Sequence, residues 1–225
     1  MKEFNAEQAQ HYRNFFPALA RRENDQPVVF FDGPAGTQVP MVVVDAINEY
    51  LLGCNANHGG FFETSVQSDQ WLHDAHRACA DFVGTDDPNE IMFGQNMTSL
   101  TFSLSRALSN SWQPDDEIIV TKLDHDANVS PWVLAAQDKG VKVHRAPFCD
   151  DDCTLDLDQL KSLLNEKTKL VAVGCASNAT GGINPVKQIC ELAHAHSALV
   201  YLDAVHYGPH GLIDVQEWGL SLIHI

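Results

Sequence analysis

Short runs rich in apolar and β-branched residues alternate with longer stretches of helical spacing along this chain. The runs at 90–93, 117–121, 141–145, 169–174 and 199–203 read as strands. Helical spacing covers 98–110, 128–138, 156–165 and 185–196 between them. Leu155, Leu157, Leu160, Leu163 and Leu164 approximate a helix stripe with one core-facing side. Asn184 is placed as an N-cap and Pro185 at the first helical position, where the missing proline N–H costs nothing. Strands apolar on both faces and separated by helices predict an α/β domain, a mostly parallel sheet with helices on both faces. No internal repeat, low-complexity tract or obvious linker interrupts the pattern.

Ligands of such sheets lie outside the carboxyl ends of the strands. The polar clusters there are Asn96 with Thr98, then 124–128, 177–180 and 203–206, and they are expected to converge on one edge of the sheet. Asp203 ends the run Leu199 to Leu202, and a carboxylate there needs a cation or hydrogen-bond donors. A protonated pyridine nitrogen meets that need; a helix cap, a nucleotide or a metal meets it too. Asn96, Met97, Thr98 and Ser99 open a helix, which makes either an anion site or an ordinary cap. His125 follows the strand at 117–121 and suits ring stacking or proton transfer, or simply a surface loop. Asn178 offers an amide beside Gly181 and Gly182, which otherwise make a turn.

Composition narrows the picture slightly. A formal net charge of −16 opposes general affinity for nucleic acid or an anionic membrane. No apolar stretch reaches the ~18–20 residues of a membrane span. The polar stretch Met1 to Arg22 lacks the apolar centre of a secretory signal, so a cytoplasmic protein is expected. Cys54, Cys79, Cys149, Cys153, Cys175 and Cys190 are then expected as reduced thiols. A Gly-rich phosphate loop is absent, which weakens a dinucleotide or Walker reading.

Taken in order and spacing, these segments resemble the class V aminotransferase family, whose fold is that of aspartate aminotransferase and which includes cysteine desulfurases and selenocysteine lyases. FFDGPAGTQVP (30–40) is similar to the family's opening strand and turn, and NANHGG (55–60) to its substrate-side loop. The stretch 93–101 resembles its phosphate turn, and DHDANVSPW (124–132) its ring-stacking histidine segment. SNATGGINP (177–185) and YLDAVHYGPH (201–210) complete the match, and the forms PAGTQVP and NANHGG point to the desulfurase-like branch. The resemblance implies pyridoxal 5'-phosphate as cofactor, with Met97 and Thr98 at its phosphate and His125 stacked on the ring. It implies Asn178 at the ring oxygen or substrate carboxylate, Asp203 at the ring nitrogen, His206 near the phenolic oxygen and His58 near the substrate. It further implies an amino-acid substrate and a homodimer.

The family's cofactor-holding lysine lies roughly two dozen residues past the aspartate, whereas no lysine follows Lys187 here. The domains expected are an N-terminal helical segment (1–27), an incomplete cofactor-binding large domain (28–219), C-terminally truncated, and a non-native tail (220–225). None of the six cysteines occupies the position of the mobile-loop nucleophile of the desulfurases. The fragment is therefore expected to be inactive alone and poorly soluble. Two other readings remain: a non-catalytic module that holds the cofactor, and a metal-dependent α/β hydrolase using His73, His76 and Cys79 or the pair His194 and His196.

Overall fold

A computed structural model describes residues 5–225; Met1–Phe4, the start of the expected N-terminal helical segment, lie outside them. The chain divides into two compact units, residues 1–78 and 79–225.

The first unit opens with α1 (Ala6–Arg13), where the Asn5 side chain and Gln8 cap each other's backbone amides. β1 (Arg22–Glu23) and β2 (Gln26–Pro27) form a minimal hairpin. Asn24 and Asp25 both take positive φ in its turn, a conformation these two residue types tolerate. α2 (Met41–Gly53) and most of α3 (Glu63–Val83) follow. The NANHGG loop between them is pinned by α3. Ser65 Oγ donates to Asn57 O at 2.6 Å and accepts the Gly60 amide at 2.7 Å, and Asp69 accepts the Gly59 amide at 2.9 Å.

The second unit is a five-stranded sheet. Its elements in order are α4 (Met97–Ser109), β3 (Glu117–Thr121), α5 (Ser130–Lys139), β4 (Lys142–Ala146), α6 (Leu157–Leu163), β5 (Thr168–Gly174), α7 (Val186–His194), β6 (Leu199–Asp203), α8 (Val215–Trp218) and β7 (Leu222–His224). All neighbouring strands are parallel, in the order β4-β3-β5-β6-β7. Side chains alternate between two cores. Ile119, Val171, Val173, Val200 and Leu202 pack with Leu160 of α6 and Ile189 and Ala193 of α7. Ile118, Val120, Leu170, Ala172 and Tyr201 pack on the opposite face with Trp132 and Ala135 of α5, against Leu104 and Leu108 of α4. Burying each such aliphatic side chain contributes about 1.5–3 kcal/mol. The parallel α/β sheet with helices on both faces is thus as the pattern predicts.

Two local expectations are corrected. The run 90–93 is not a strand. Asp87 accepts the Asn89 amide at 2.9 Å and the Ile91 amide returns to Pro88 O at 3.2 Å, so Pro88–Glu90 closes a 3-10 turn. What remains is three residues outside the sheet, with Met92 well exposed. Asn184 does not cap α7 either. Its side chain is buried and donates to Gly174 O at 2.7 Å, and the cap position falls to Pro185. Residues 222–224 form the fifth strand, with Asp203 and His224 as register partners.

Candidate functional site

The chain's topology reverses at β3, which lies between β4 and β5. The crevice such a switch opens at the carboxyl ends of the strands is the default ligand site of an open α/β sheet. The clusters 124–128 and 203–206 are electrostatically coupled there, and α4 is tied in through one hydrogen bond.

Asp203 closes β6 on the face that carries Tyr201, α4 and α5, because alternate residues of a strand share a face. One carboxylate oxygen accepts the Val205 amide at 3.0 Å. Burial pushes its pKa up, against the Val205 amide, His125 and His206, which pull it down. Among the described residues no cationic side chain lies within 4 Å of it; the ion pairs lie elsewhere. A half-buried acid with an open oxygen and no cation of its own fits an exogenous cationic N–H.

His125 caps the 3-10 turn Asp126–Asn128 and accepts the Ala127 amide on Nδ1 at 3.1 Å. A backbone amide only donates, so the ring proton resides on Nε2. His206 lies in the turn after β6, its ring 5.2 Å from that of His210. Asn178 sits in a tight turn: Ser177 Oγ accepts the amides of Ala179 and Thr180 at 3.3 Å each, and the Gly181 amide returns to Ser177 O at 2.9 Å.

α4 begins behind Asn96, whose side chain accepts the Ser99 amide at 2.9 Å. The amides of Met97 and Thr98 stand in the first turn, where a helix has no internal acceptor for them. Gly94 lets the preceding chain approach, since a Cβ there would run into the Leu100 side chain. His58 belongs to the first unit and lies 3.7 Å from Asp69.

Sequence reasoning missed Asp124. Its Oδ1 accepts the Gly174 amide at 2.8 Å and its Oδ2 accepts Asn128 Nδ2 at 2.9 Å. Burial raises its pKa to about 6, opposed by the Gly174 amide and reinforced by the charge of Asp203. An Asp directly before the candidate histidine was the available signal. Two cysteines are poor nucleophiles: burial pushes the Cys175 thiol up to about 12 and the Cys190 thiol up to about 11. Among the described residues no group of three potential ligands is placed to hold a metal, and no helix is long and apolar enough to cross a membrane.

These features define a parallel α/β domain with its candidate site at the strand ends. The family model for class-V aminotransferases matches residues 29–225, and the chain belongs to that family. It is 35% identical over 209 residues to a protein of Mycolicibacterium paratuberculosis named "Probable cysteine desulfurase", covering 92% of this chain and 30% of that one. A protein of the same name from Halalkalibacterium halodurans is 31% identical over 213 residues, covering 94% of this chain and 52% of the relative. The apo cysteine desulfurase of Thermococcus onnurineus superimposes with a TM-score of 0.87 at 27% identity, over 99% of this chain and 53% of that one. The chain thus spans about a third to a half of the length of these relatives.

Proposed function

We propose that the second unit is the cofactor-binding part of a pyridoxal-phosphate enzyme that acts on an amino acid, with cysteine the substrate indicated by the names of its relatives. The observation that carries this reading is Asp203, a half-buried strand-end carboxylate with one oxygen on the Val205 amide and, among the described residues, no ion pair. Pyridoxal phosphate, when bound, supplies an electron sink for charge developing at the substrate α-carbon. Asp203 would hold the proton on the ring nitrogen, because a carboxylate at that atom favours its charged form. The first-turn amides of Met97 and Thr98 would bind the phosphate, and His125 would lie on the ring with its Nε2 proton. Asn178 and His206 would meet the ring oxygen and the substrate carboxylate. His58 would serve the substrate side, and a homodimer would be the working form.

Titration with pyridoxal phosphate, followed by quenching of tryptophan fluorescence, tests the reading. D203A is expected to weaken binding at least tenfold, about 1.4 kcal/mol. Equal affinity in the two proteins would reject the role of Asp203.

A further inference from the structure

A buried chain of hydrogen bonds runs beneath the histidine of the site. We propose that its first member, Asp124, is a positioning residue that fixes the orientation and tautomer of His125; its consequence for cofactor binding rests on the function proposed above.

Asp124 sits three residues past β3, and its carboxylate bridges to the amide of Gly174, the last residue of β5. The other oxygen takes Asn128 Nδ2, and Asn128 Oδ1 in turn takes Trp132 Nε1 at 3.1 Å. Asn128 and Trp132 are fully buried. The 3-10 turn that His125 caps is therefore held at both ends, by Asp124 before it and by Asn128 at its close. His125 has little freedom left, and the Ala127 amide then selects its tautomer. Gly174 makes the bridge possible: a Cβ there would sit 2.9 Å from Asp124 Oδ1.

The direction of every bond in this chain is determined. An ionised carboxylate only accepts, so Asn128 must present its amide nitrogen to Asp124 and its oxygen to the indole N–H. Replacing Asp124 by Asn alone places two donors face to face: at Asn128, at Trp132 if Asn128 flips, or at the Gly174 amide if the new side chain flips. Exchanging both residues restores a complete set. Asn at 124 accepts from Gly174 and donates to Asp at 128, whose second oxygen accepts from Trp132. A role that depends only on the hydrogen-bond geometry predicts that the exchange rescues.

The test compares the wild-type chain with D124N and D124N/N128D, each labelled with 15N-histidine, with H125Q used to assign the His125 signals. The readouts are the His125 ring-nitrogen shifts and the affinity for pyridoxal phosphate. D124N is expected to lose the Nε2–H signature and to bind roughly tenfold more weakly. The double variant is expected to recover the signature and to bind within roughly threefold of wild type. Should D124N fail to fold, G174A, which displaces the carboxylate, is expected to show the same two losses. Unchanged His125 signals in a folded D124N, or an exchange that recovers stability without the His125 signature, would overturn the proposal. A wild-type chain that does not bind pyridoxal phosphate would sink the functional reading, while the His125 signature would still decide the role of Asp124.

Discussion

The hydroxyls of Thr101 and Tyr201 meet at 2.8 Å, a hundred residues apart in sequence and buried between α4 and β6. Tyr201 lies two residues before Asp203 on the same face, and Thr101 lies one turn past Thr98. This single bond therefore ties the helix start proposed for the phosphate to the strand that carries the aspartate. Thr101 Oγ1 also donates to Met97 O at 3.0 Å, so T101V strands the Tyr201 hydroxyl and is expected to cost about 1–3 kcal/mol, whereas Y201F leaves Thr101 that partner and is expected to cost less. The double variant T101V/Y201F is expected to cost less than the sum of the two. Urea unfolding of the four proteins measures the coupling, and strict additivity would show that the hydroxyls do not depend on each other.

The architecture was legible because three of its features are one-dimensional: apolar runs on both faces, helical spacing between them, and polar residues at strand ends. Asp203, His125 and Asn178 stand out as candidates from their place at strand ends, while the roles expected of them come from the family resemblance. The run 90–93 does not form a strand because three apolar residues, Ile91 to Phe93, specify a strand only if a partner lies beside them, and partnership is not local. Asn184 was misread for a related reason: its cap role competed with the carbonyl of Gly174, ten residues earlier, and the buried acceptor won. Asp124 was passed over because its meaning depends on Gly174, fifty residues away. Residues whose partners are distant in sequence carry no local signature.

Chemical access separates the cysteines in a way that mass spectrometry can read. Cys149 is exposed, whereas Cys175 and Cys190 are buried and their thiols raised. Brief iodoacetamide treatment of the native chain at neutral pH is expected to label Cys149 and to spare the other two until urea is added. Early modification of Cys175 would show that the strand ends open more readily than this packing allows.

At the amino end of the sheet, Glu117 accepts from His144 Nε2 at 2.7 Å and from Asn165 Nδ2 at 2.8 Å. These contacts, Asn165 foremost, lower its pKa. A depressed carboxylate pKa stabilises the fold above the unfolded value and loses that contribution as pH falls through the folded value. E117Q is expected to lower stability by about 1–3 kcal/mol at pH 7, with the deficit shrinking below pH ~4.5. Urea midpoints across pH 3–7 measure it, and a deficit independent of pH would assign the loss to packing instead.

Asp124 and His224 are expected to oppose each other in acid. Burial lowers the pKa of His224 from 6.5 to about 4, and its Nδ1 is buried without a hydrogen-bond partner. Between these values the unfolded chain holds the His224 proton and the folded one does not, so this group's contribution to stability rises with pH. Asp124 behaves in the reverse way: its pKa rises from 3.8 to about 6 on folding, so its contribution falls as pH climbs through that window. Each slope amounts to roughly 2 kcal/mol after allowance for residual solvation. The wild-type chain is expected to show little net change from these two groups between pH 4 and 6. H224L removes one slope, and stability relative to wild type should then decline as pH rises; it also fills the site of an unpartnered polar atom, so it should stabilise at pH 4. D124N should produce the opposite trend. Parallel curves for the three proteins would mean that neither group titrates across folding.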